Sequence, residues 1–464
     1  MRNKIILNKY NIHFIGIGGI GMSGIAELMI DLGYKVQGSD ISINSNIERL
    51  KKRGVVFFNS HKKSNINKSL SAVVFSSAIK NNNLELQECK KLSIPIISRA
   101  NMLAELMKNK KSIAIAGSHG KTTTTSLVGA MFDNAKFDPT IVNGGIINSY
   151  SKNNRFGRGE WMIVEADESD GSFLKLPHEI NIITNIDIEH LDYYKTKKNI
   201  LLAFTEFIHN LPFYGCSILC TDNKNLKKLS EKIKTRRIIT YSVNQNSDVK
   251  IISIKKNIDS TEFILNIKKG IIKNLNGKLK FKTTLLGKHN ILNATGAIIA
   301  SLLANVPLIK INQSLKFFQG VKRRFSFLGK INKCSIYDDY AHHPSEILAS
   351  YEIAKQISKK KIIVIFQPHR YSRTYILFND FVRILQKIEI LYVLDIYSAG
   401  EKSIKDINSL NLINKIRKKN KNTFYLKKTD DLYNKFNSYF DDENTIIFMG
   451  AGSITTIAHD LIKK

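Results

Sequence analysis

Seven consecutive residues, Gly117-Ser-His-Gly-Lys-Thr-Thr123, have the types and spacing of a polyphosphate site. Glycine lets a backbone approach phosphate closely. N–H groups at the start of a helix converge on an anion, and the helix dipole favours it further. Lys121 is placed to reach β- and γ-phosphates, and the Thr122 hydroxyl to hold Mg²⁺. Gly117, Ser118, His119, Gly120, Lys121, Thr122 and Thr123 are therefore the candidate nucleotide-binding residues. Ile115 or Ala116 stands where a standard phosphate loop carries its first glycine, so this loop is a shortened one. A second pattern, Gly16-Ile-Gly-Gly-Ile-Gly21, is followed nineteen residues later by Asp40. That is close to the dinucleotide fingerprint, in which glycines admit a pyrophosphate and the acid takes a ribose hydroxyl. The pattern specifies a phosphorylated nucleotide more firmly than it specifies NAD. Carboxylates gather at Glu165, Asp167, Glu168 and Asp170, and again, with an imidazole, at Asp187, His190 and Asp192. Oxygen ligands beside a phosphate loop are what Mg²⁺ requires.

Such groups need strands and helices to aim them. The apolar run 113–116 reads as a buried parallel strand, and a helix opens at Lys121 behind the glycine turn. Residues 12–17 read as the first strand of the chain. Met22, Ile25, Leu28, Met29 and Leu32 then fall on one face of a helix that stops at Gly33. Strands over 34–38, 72–78 and 95–98 complete a small parallel sheet, a helix over 99–108 leads out, and 108–111 reads as a linker. Apolar strands beginning at Trp161 and Asn181 end in the two acidic clusters. A β-rich, Lys-rich stretch over 238–284 carries no nameable chemistry and closes on a helix that runs to Leu303. Further on, polar clusters at 338–344, 367–374, 395–401 and 449–453 each follow a buried-looking strand, which makes a site-bearing rim of parallel strand ends. The predicted class is α/β in three domains. These are a Rossmann-like domain over 1–108, a central P-loop ATPase-like mononucleotide-binding domain over 109–318 and a C-terminal Rossmann-like domain over 319–464.

Composition narrows the function classes. At 464 residues with 43% hydrophobic content, the chain is long enough for several packed cores. No apolar run approaches the ~20 residues that span a bilayer. Cys89, Cys216, Cys220 and Cys334 form neither C-x-x-C pairs nor a disulfide-rich spacing. A reducing, cytoplasmic setting is expected. The formal charge of +32 raises nucleic acid as a partner. Its lysines and arginines are scattered among Asn and Ile along the whole chain, as an A/T-rich coding bias scatters them, so no nucleic-acid partner and no membrane insertion are expected.

Taken in order, the clusters resemble the Mur ligases over nearly the whole chain. Eight motifs carry the resemblance. They are Gly16-Ile-Gly-Gly-Ile-Gly-Met-Ser-Gly24, Gly117-Ser-His-Gly-Lys-Thr-Thr123, Glu165-Ala-Asp-Glu-Ser-Asp170, His190-Leu-Asp-Tyr-Tyr194, His289-Asn290 with Asn293, Arg323-Arg324-Phe325, Asp338-Asp-Tyr-Ala-His-His-Pro344 and Gln367-Pro-His-Arg-Tyr-Ser-Arg373. The short phosphate loop is the form this family uses, with Ser118 where Thr is commoner. The resemblance implies that ATP and Mg²⁺ drive the joining of L-alanine to the carboxylate of UDP-N-acetylmuramate by a monomer or weak homo-oligomer. It implies that the first domain binds UDP rather than NAD, through Gly18, Gly19, Ile20, Gly21, Met22, Ser23, Asp40, Ser76 and Ser77. It further implies Asn293, Arg324 and Asp338 at the ATP nucleotide, and Thr122, Glu165 and His190 on metal. Lys121, His190, His342, Arg370 and Arg373 are the implied catalytic set, His342 facing substrate and the two arginines clamping charge. A recycling ligase that joins a preformed peptide to the same sugar nucleotide is the same-class alternative. An NAD-dependent oxidoreductase, which leaves the Lys121 loop unexplained, and a nucleic-acid-binding ATPase, supported only by charge, are the alternatives from other classes.

Overall fold

Apolar runs of four to six residues, too short for helices, make the parallel cores of three sheets. The computed structural model describes residues 10–76, 78–147, 152–427 and 431–463. Its first sheet consists of β1 (Asn11–Ile15), β2 (Lys35–Ser39), β3 (Val56–Phe58), β4 (Ala72–Phe75) and β5 (Ile96–Ser98), in the order β3-β2-β1-β4-β5. All four pairings are parallel. The order reverses beside β1, so a crevice opens at its carboxyl end, where the Gly16–Gly21 turn lies. Helix Ile20–Asp31 follows, and Gly33, at φ +92°, turns the chain out of it as the sequence predicts.

The second sheet holds ten strands: β6 (Lys111–Ala116), β7 (Thr140–Ile147), β8 (Lys152–Arg155), β9 (Trp161–Glu165), β10 (Ile180–Ile183), β11 (Cys216–Cys220), β12 (Arg237–Ser242), β13 (Val249–Lys256), β14 (Thr261–Ile272) and β15 (Leu275–Thr283). Their order is β15-β14-β13-β12-β11-β10-β6-β9-β7-β8. β6 lies between β9 and β10 and is parallel to both. The phosphate loop therefore emerges between the two strands whose ends carry the acidic clusters. The linker read at 108–111 is shorter than the sequence suggests, because Lys111 already pairs with Trp161 as the first residue of β6.

The third sheet runs β16-β17-β21-β18-β19-β20, with β16 (Ser326–Ile331), β17 (Cys334–Asp339), β18 (Ile362–Phe366), β19 (Ile390–Val393), β20 (Thr423–Tyr425) and β21 (Thr445–Met449). Only the edge strand β16 is antiparallel. Along β18 the period of two sends Val364 and Phe366 into one core and Ile363 and Ile365 into the other. Both faces are thereby covered, as a parallel sheet requires.

The chain divides into two compact units. One comprises Met1–Ile252, Ile264–Leu279 and Leu292–Leu315, and the other Ser253–Phe263, Lys280–Ile291 and Lys316–Lys464. Among the described residues no helix is long and apolar enough to cross a membrane.

Candidate active site

The phosphate loop is a glycine hinge stapled to the end of β10. Gly117 takes φ +127° and Gly120 φ +83°. Gly120 caps helix Lys121–Asn134, and a Cβ there would come within 2.4 Å of Asn293 Oδ1. Thr184 and Asn185 hold the loop from outside. The Thr184 hydroxyl (2.6 Å) and the Asn185 amide (2.9 Å) both donate to the His119 carbonyl. His119 N–H donates back to Asn185 Oδ1 at 2.8 Å. The Ser118 hydroxyl accepts from Asp187 N–H at 2.9 Å, and His119 Nε2 lies 3.1 Å from Asp187 Oδ2.

Lys121 is the centre of charge. Its Nζ donates to the Gly117 carbonyl at 2.7 Å and to both oxygens of Glu168, at 3.0 and 2.9 Å. Burial alone would lower its pKa, but Glu168, Asp167 and Glu165 together raise it, so the ammonium stays charged. Burial pushes Glu168 up to about 7 against the pull of Lys121, with the Asp167 charge adding to the rise. Asp167 is itself lowered, because Lys121 and the Ser169 N–H outweigh its burial. Tyr194 donates its hydroxyl to the Glu168 carbonyl at 2.5 Å. His190, at φ +55° where helix Leu191–Tyr194 begins, sets Nε2 4.0 Å from Glu168 and 3.9 Å from Glu189. One donor atom from each of Glu168, Glu189 and His190 falls within 4.8 Å of the others. The two carboxylates suit a hard divalent cation, and the imidazole is a borderline donor that transition metals also take. Glu165, the acid expected on metal, is not a member of that group and accepts Gly144 N–H at 2.8 Å. The Thr122 side chain is buried at the start of its helix.

In the first domain, Gly16 and Ile17 donate their N–H groups to the Ser39 carbonyl at 2.8 and 3.1 Å. Gly18 N–H donates to Asp40 Oδ2 at 2.9 Å. Asp40 thus fixes the glycine turn by its own carboxylate. Ile20 is exposed at the turn, but Met22 and Ser23 turn their side chains into the core, and the Ser23 hydroxyl donates to the Ile20 carbonyl. Their side chains point into the core, as the helical period dictates. Ser76 packs beside Gly16 at the end of β4. Ser77 and the side chain of Asp192 lie outside the described residues.

In the other unit, the predicted rim forms at the ends of β17, β18, β19 and β21. His342 Nδ1 lies 2.9 Å from the Tyr340 carbonyl, and its ring is 6.0 Å from that of His369. His369 stacks on Tyr397 at 5.5 Å and meets Arg373 Nη1 at 3.3 Å. Burial, with His342, Arg373 and Arg370 nearby, pushes His369 down to about 4, so it accepts from Arg373 as a neutral ring. Arg370 takes φ +69° and donates its N–H to the Tyr397 carbonyl. Arg324 lies 3.9 Å from Glu346, and Asp338 accepts from Thr455 with Arg323 3.7 Å away.

Asp339 holds the turn that carries His342. It accepts Ala341 N–H at 2.9 Å and the Ser350 hydroxyl at 2.6 Å, and burial pushes it up from 3.8 to about 6. Above pH 6 it is ionised whether folded or unfolded, and the folded chain bears the burial cost in full, up to about 3 kcal/mol. Below its unfolded pKa that cost is absent. Asp339→Asn keeps an acceptor for Ala341, so it is expected to be more stable than the parent at pH 8, with the gap closing by pH 4. Unfolding curves at the two pH values measure this, and an equal gap at both would rule the charge out as its cause.

One pairing and one residue escape sequence reading. Glu168 stands in the acidic cluster legible in the sequence, but its bond to Lys121, 47 residues away, is not legible there. Arg99 lies at the end of β5 with its guanidinium over Gly21, where a Cβ would come within 2.5 Å of Nη1, and its charge helps lower Asp167. Its signal was its place directly after a parallel strand.

Residues 11–111 match the model of the Mur ligase family catalytic domain, 115–301 that of the Mur ligase middle domain, and 323–452 that of the Mur ligase glutamate ligase domain. A UDP-N-acetylmuramate–L-alanine ligase of Rickettsia felis is 46% identical over 457 residues, covering 97% of this chain and 95% of the relative. The crystal structure of the UDP-N-acetylmuramate–alanine ligase of Thermotoga maritima superposes with a TM-score of 0.80 at 26% identity, over 98% of each chain. A murein peptide ligase of Psychrobacter arcticus shares the fold, with a TM-score of 0.68 at 20% identity over 98% of each chain. With a relative so similar along nearly its full length, and with the loop, acids and rim in the order the motifs require, the chain belongs to the Mur ligase family.

Proposed function

We infer that this protein joins L-alanine to the carboxylate of UDP-N-acetylmuramate at the expense of ATP, a step of peptidoglycan precursor synthesis. The observation that carries this is the 46% identity to an alanine-adding ligase over 97% of the chain. The peptide-recycling alternative has weaker support, a peptide ligase structure at 20% identity. The nicotinamide reading leaves Lys121 and its acids without a task.

The chemistry suits the residues. A carboxylate is a poor acyl donor because its leaving group would be oxide. Attack of the substrate carboxylate on the γ-phosphate gives an acyl phosphate, and the amine then displaces phosphate through a tetrahedral oxyanion. Both steps need fixed positive charge more than covalent catalysis. Lys121 supplies it at the phosphates, with Gly117 to Thr123 binding the polyphosphate and Asn293, Arg324 and Asp338 binding the rest of ATP. Thr122, Glu165 and His190, with Glu168 and Glu189 beside the imidazole, would hold Mg²⁺, which when bound neutralises phosphate charge. Gly18 to Gly21 and Asp40, joined by Ser76 and Arg99, take the sugar nucleotide. Arg370 and Arg373 clamp charge, and His342 faces substrate. In this assignment residues 1–108 bind the UDP substrate, 109–318 bind ATP and 319–464 form the ligase domain.

Competition between L-alanine and an alanyl-glutamyl peptide, with Mg²⁺ present and then chelated, tests the assignment. Alanine is expected to be used first, with glycine and serine as poorer substrates. A missing methylene is worth only ~1–3 kcal/mol, so glycine is rejected weakly. Larger amines are excluded by clash. Preferential use of the peptide would move the chain to the recycling activity, and full turnover under chelation would remove the metal.

A further inference from the structure

The glycine turn of the first domain hangs on a buried polar cluster that none of the assigned roles uses. Its hub is Glu85, in the first turn of helix Leu84–Lys91, with no exposed surface. Glu85 Oε2 accepts the hydroxyl of Ser39 at 2.6 Å and lies 3.0 Å from His61 Nδ1. Oε1 accepts the Asn65 amide at 2.7 Å and lies 3.3 Å from His13 Nε2. His13 is on β1 and reaches Gln37 on β2 at 3.1 Å, and Gln37 donates to the Asn65 carbonyl at 3.0 Å. One carboxylate thus ties together β1, the end of β2, the 61–65 segment and a helix. Despite burial, its pKa is lowered by His13, Ser39 and Asn65.

Ser39 has a second bond set. Its hydroxyl is on Glu85, while its carbonyl receives Gly16 N–H and Ile17 N–H, and the next residue, Asp40, receives Gly18 N–H. Every amide at the front of the glycine turn is therefore held by Ser39 or Asp40. The Ser39 side chain is in turn held by Glu85. A turn that must present N–H groups to a pyrophosphate gains from being fixed before the ligand arrives, because less order is then lost on binding.

We propose that Glu85, acting through Ser39, is a positioning residue that preorganises the Gly16–Gly21 turn for the diphosphate of the nucleotide substrate. The ligand's identity rests on the function proposed above, but the fixed state of the turn does not. Ser39→Ala removes only the hydroxyl. Glu85→Gln keeps the shape but puts an NH₂ group among groups that already donate to it.

Hydrogen–deuterium exchange on the ligand-free protein, read on peptides covering residues 14–21, is expected to speed up about tenfold in Ser39→Ala, the worth of one lost hydrogen bond. Exchange of the β6 and β18 peptides should stay unchanged. UDP binding, by calorimetry, is expected to weaken about tenfold as well. The KM for UDP-N-acetylmuramate should rise while kcat and the KM for ATP hold. Glu85→Gln should act in the same direction, and the double variant should be no worse than the weaker single one, because both sit on one path. Unchanged protection at 14–21 in Ser39→Ala overturns the proposal, as does an equal rise in the KM for ATP, which marks a general loss of structure. If the parent protein binds no UDP, the substrate assignment fails, while the exchange experiment still decides the positioning role. Ser39→Ala carries the test alone if Glu85→Gln does not fold.

Discussion

Replacing Lys121 with alanine is expected to reduce ligation by ~10²–10³ or more, the usual cost of removing one aimed donor from a site where charge develops. The ammonium lies within hydrogen-bonding reach of both the loop carbonyl of Gly117 and the Glu168 carboxylate. It is also held charged by three acids. The fold should survive the change. Glu168, already pushed up to about 7 by burial, takes a proton when its partner goes, so no bare charge is left inside. Circular dichroism and retained UDP binding would confirm an intact chain. Steady-state kinetics should then show the loss in kcat more than in the KM for ATP, since the lysine is needed most as the γ-phosphoryl group transfers. Near-normal turnover in the variant would show that this loop is not the catalytic one.

What was legible in the sequence was whatever depends on neighbours along the chain. Glycine permits a positive φ, and Gly16, Gly33, Gly117 and Gly120 each take one, whereas Gly18, Gly19 and Gly21 do not. Apolar runs marked β6, β9, β10 and β18, so the order of clusters along the rim could be written before their positions were known. Pairings made by sheet order were not legible. That Glu168, rather than Glu165, meets Lys121 depends on how the chain turns after β9, and no spacing encodes it. The Glu85 hub is hidden for the same reason, since its partners His13, Ser39, His61 and Asn65 come from separate segments. Met22 shows a different limit. The helical period places its side chain in the core, but no spacing says which backbone groups of the turn meet a ligand.

Gly117→Ala is expected to be as damaging as the loss of Lys121, though it removes no functional group. At φ +127° an alanine is strained wherever it sits, a cost on the order of 1–3 kcal/mol. The added Cβ would lie 2.3 Å from Thr184 Oγ1 and 2.9 Å from the Asn185 carbonyl oxygen. Neither neighbour can yield cheaply. The Thr184 hydroxyl is committed to the His119 carbonyl, and the Asn185 carbonyl receives Ser118 N–H at 3.2 Å. The loop must therefore move off β10, taking with it the Gly117 carbonyl that orients Lys121. Displacing the reacting groups by about 1 Å is enough to cost ~10²-fold in rate. The strain should appear as weaker ADP binding together with a lower kcat, and exchange protection should fall over residues 115–121 and 184–187 while β18 stays protected. Parent-like ADP affinity and turnover in Gly117→Ala would mean that the loop adopts another backbone path when nucleotide is bound, and that its stapling to Thr184 and Asn185 is dispensable for catalysis.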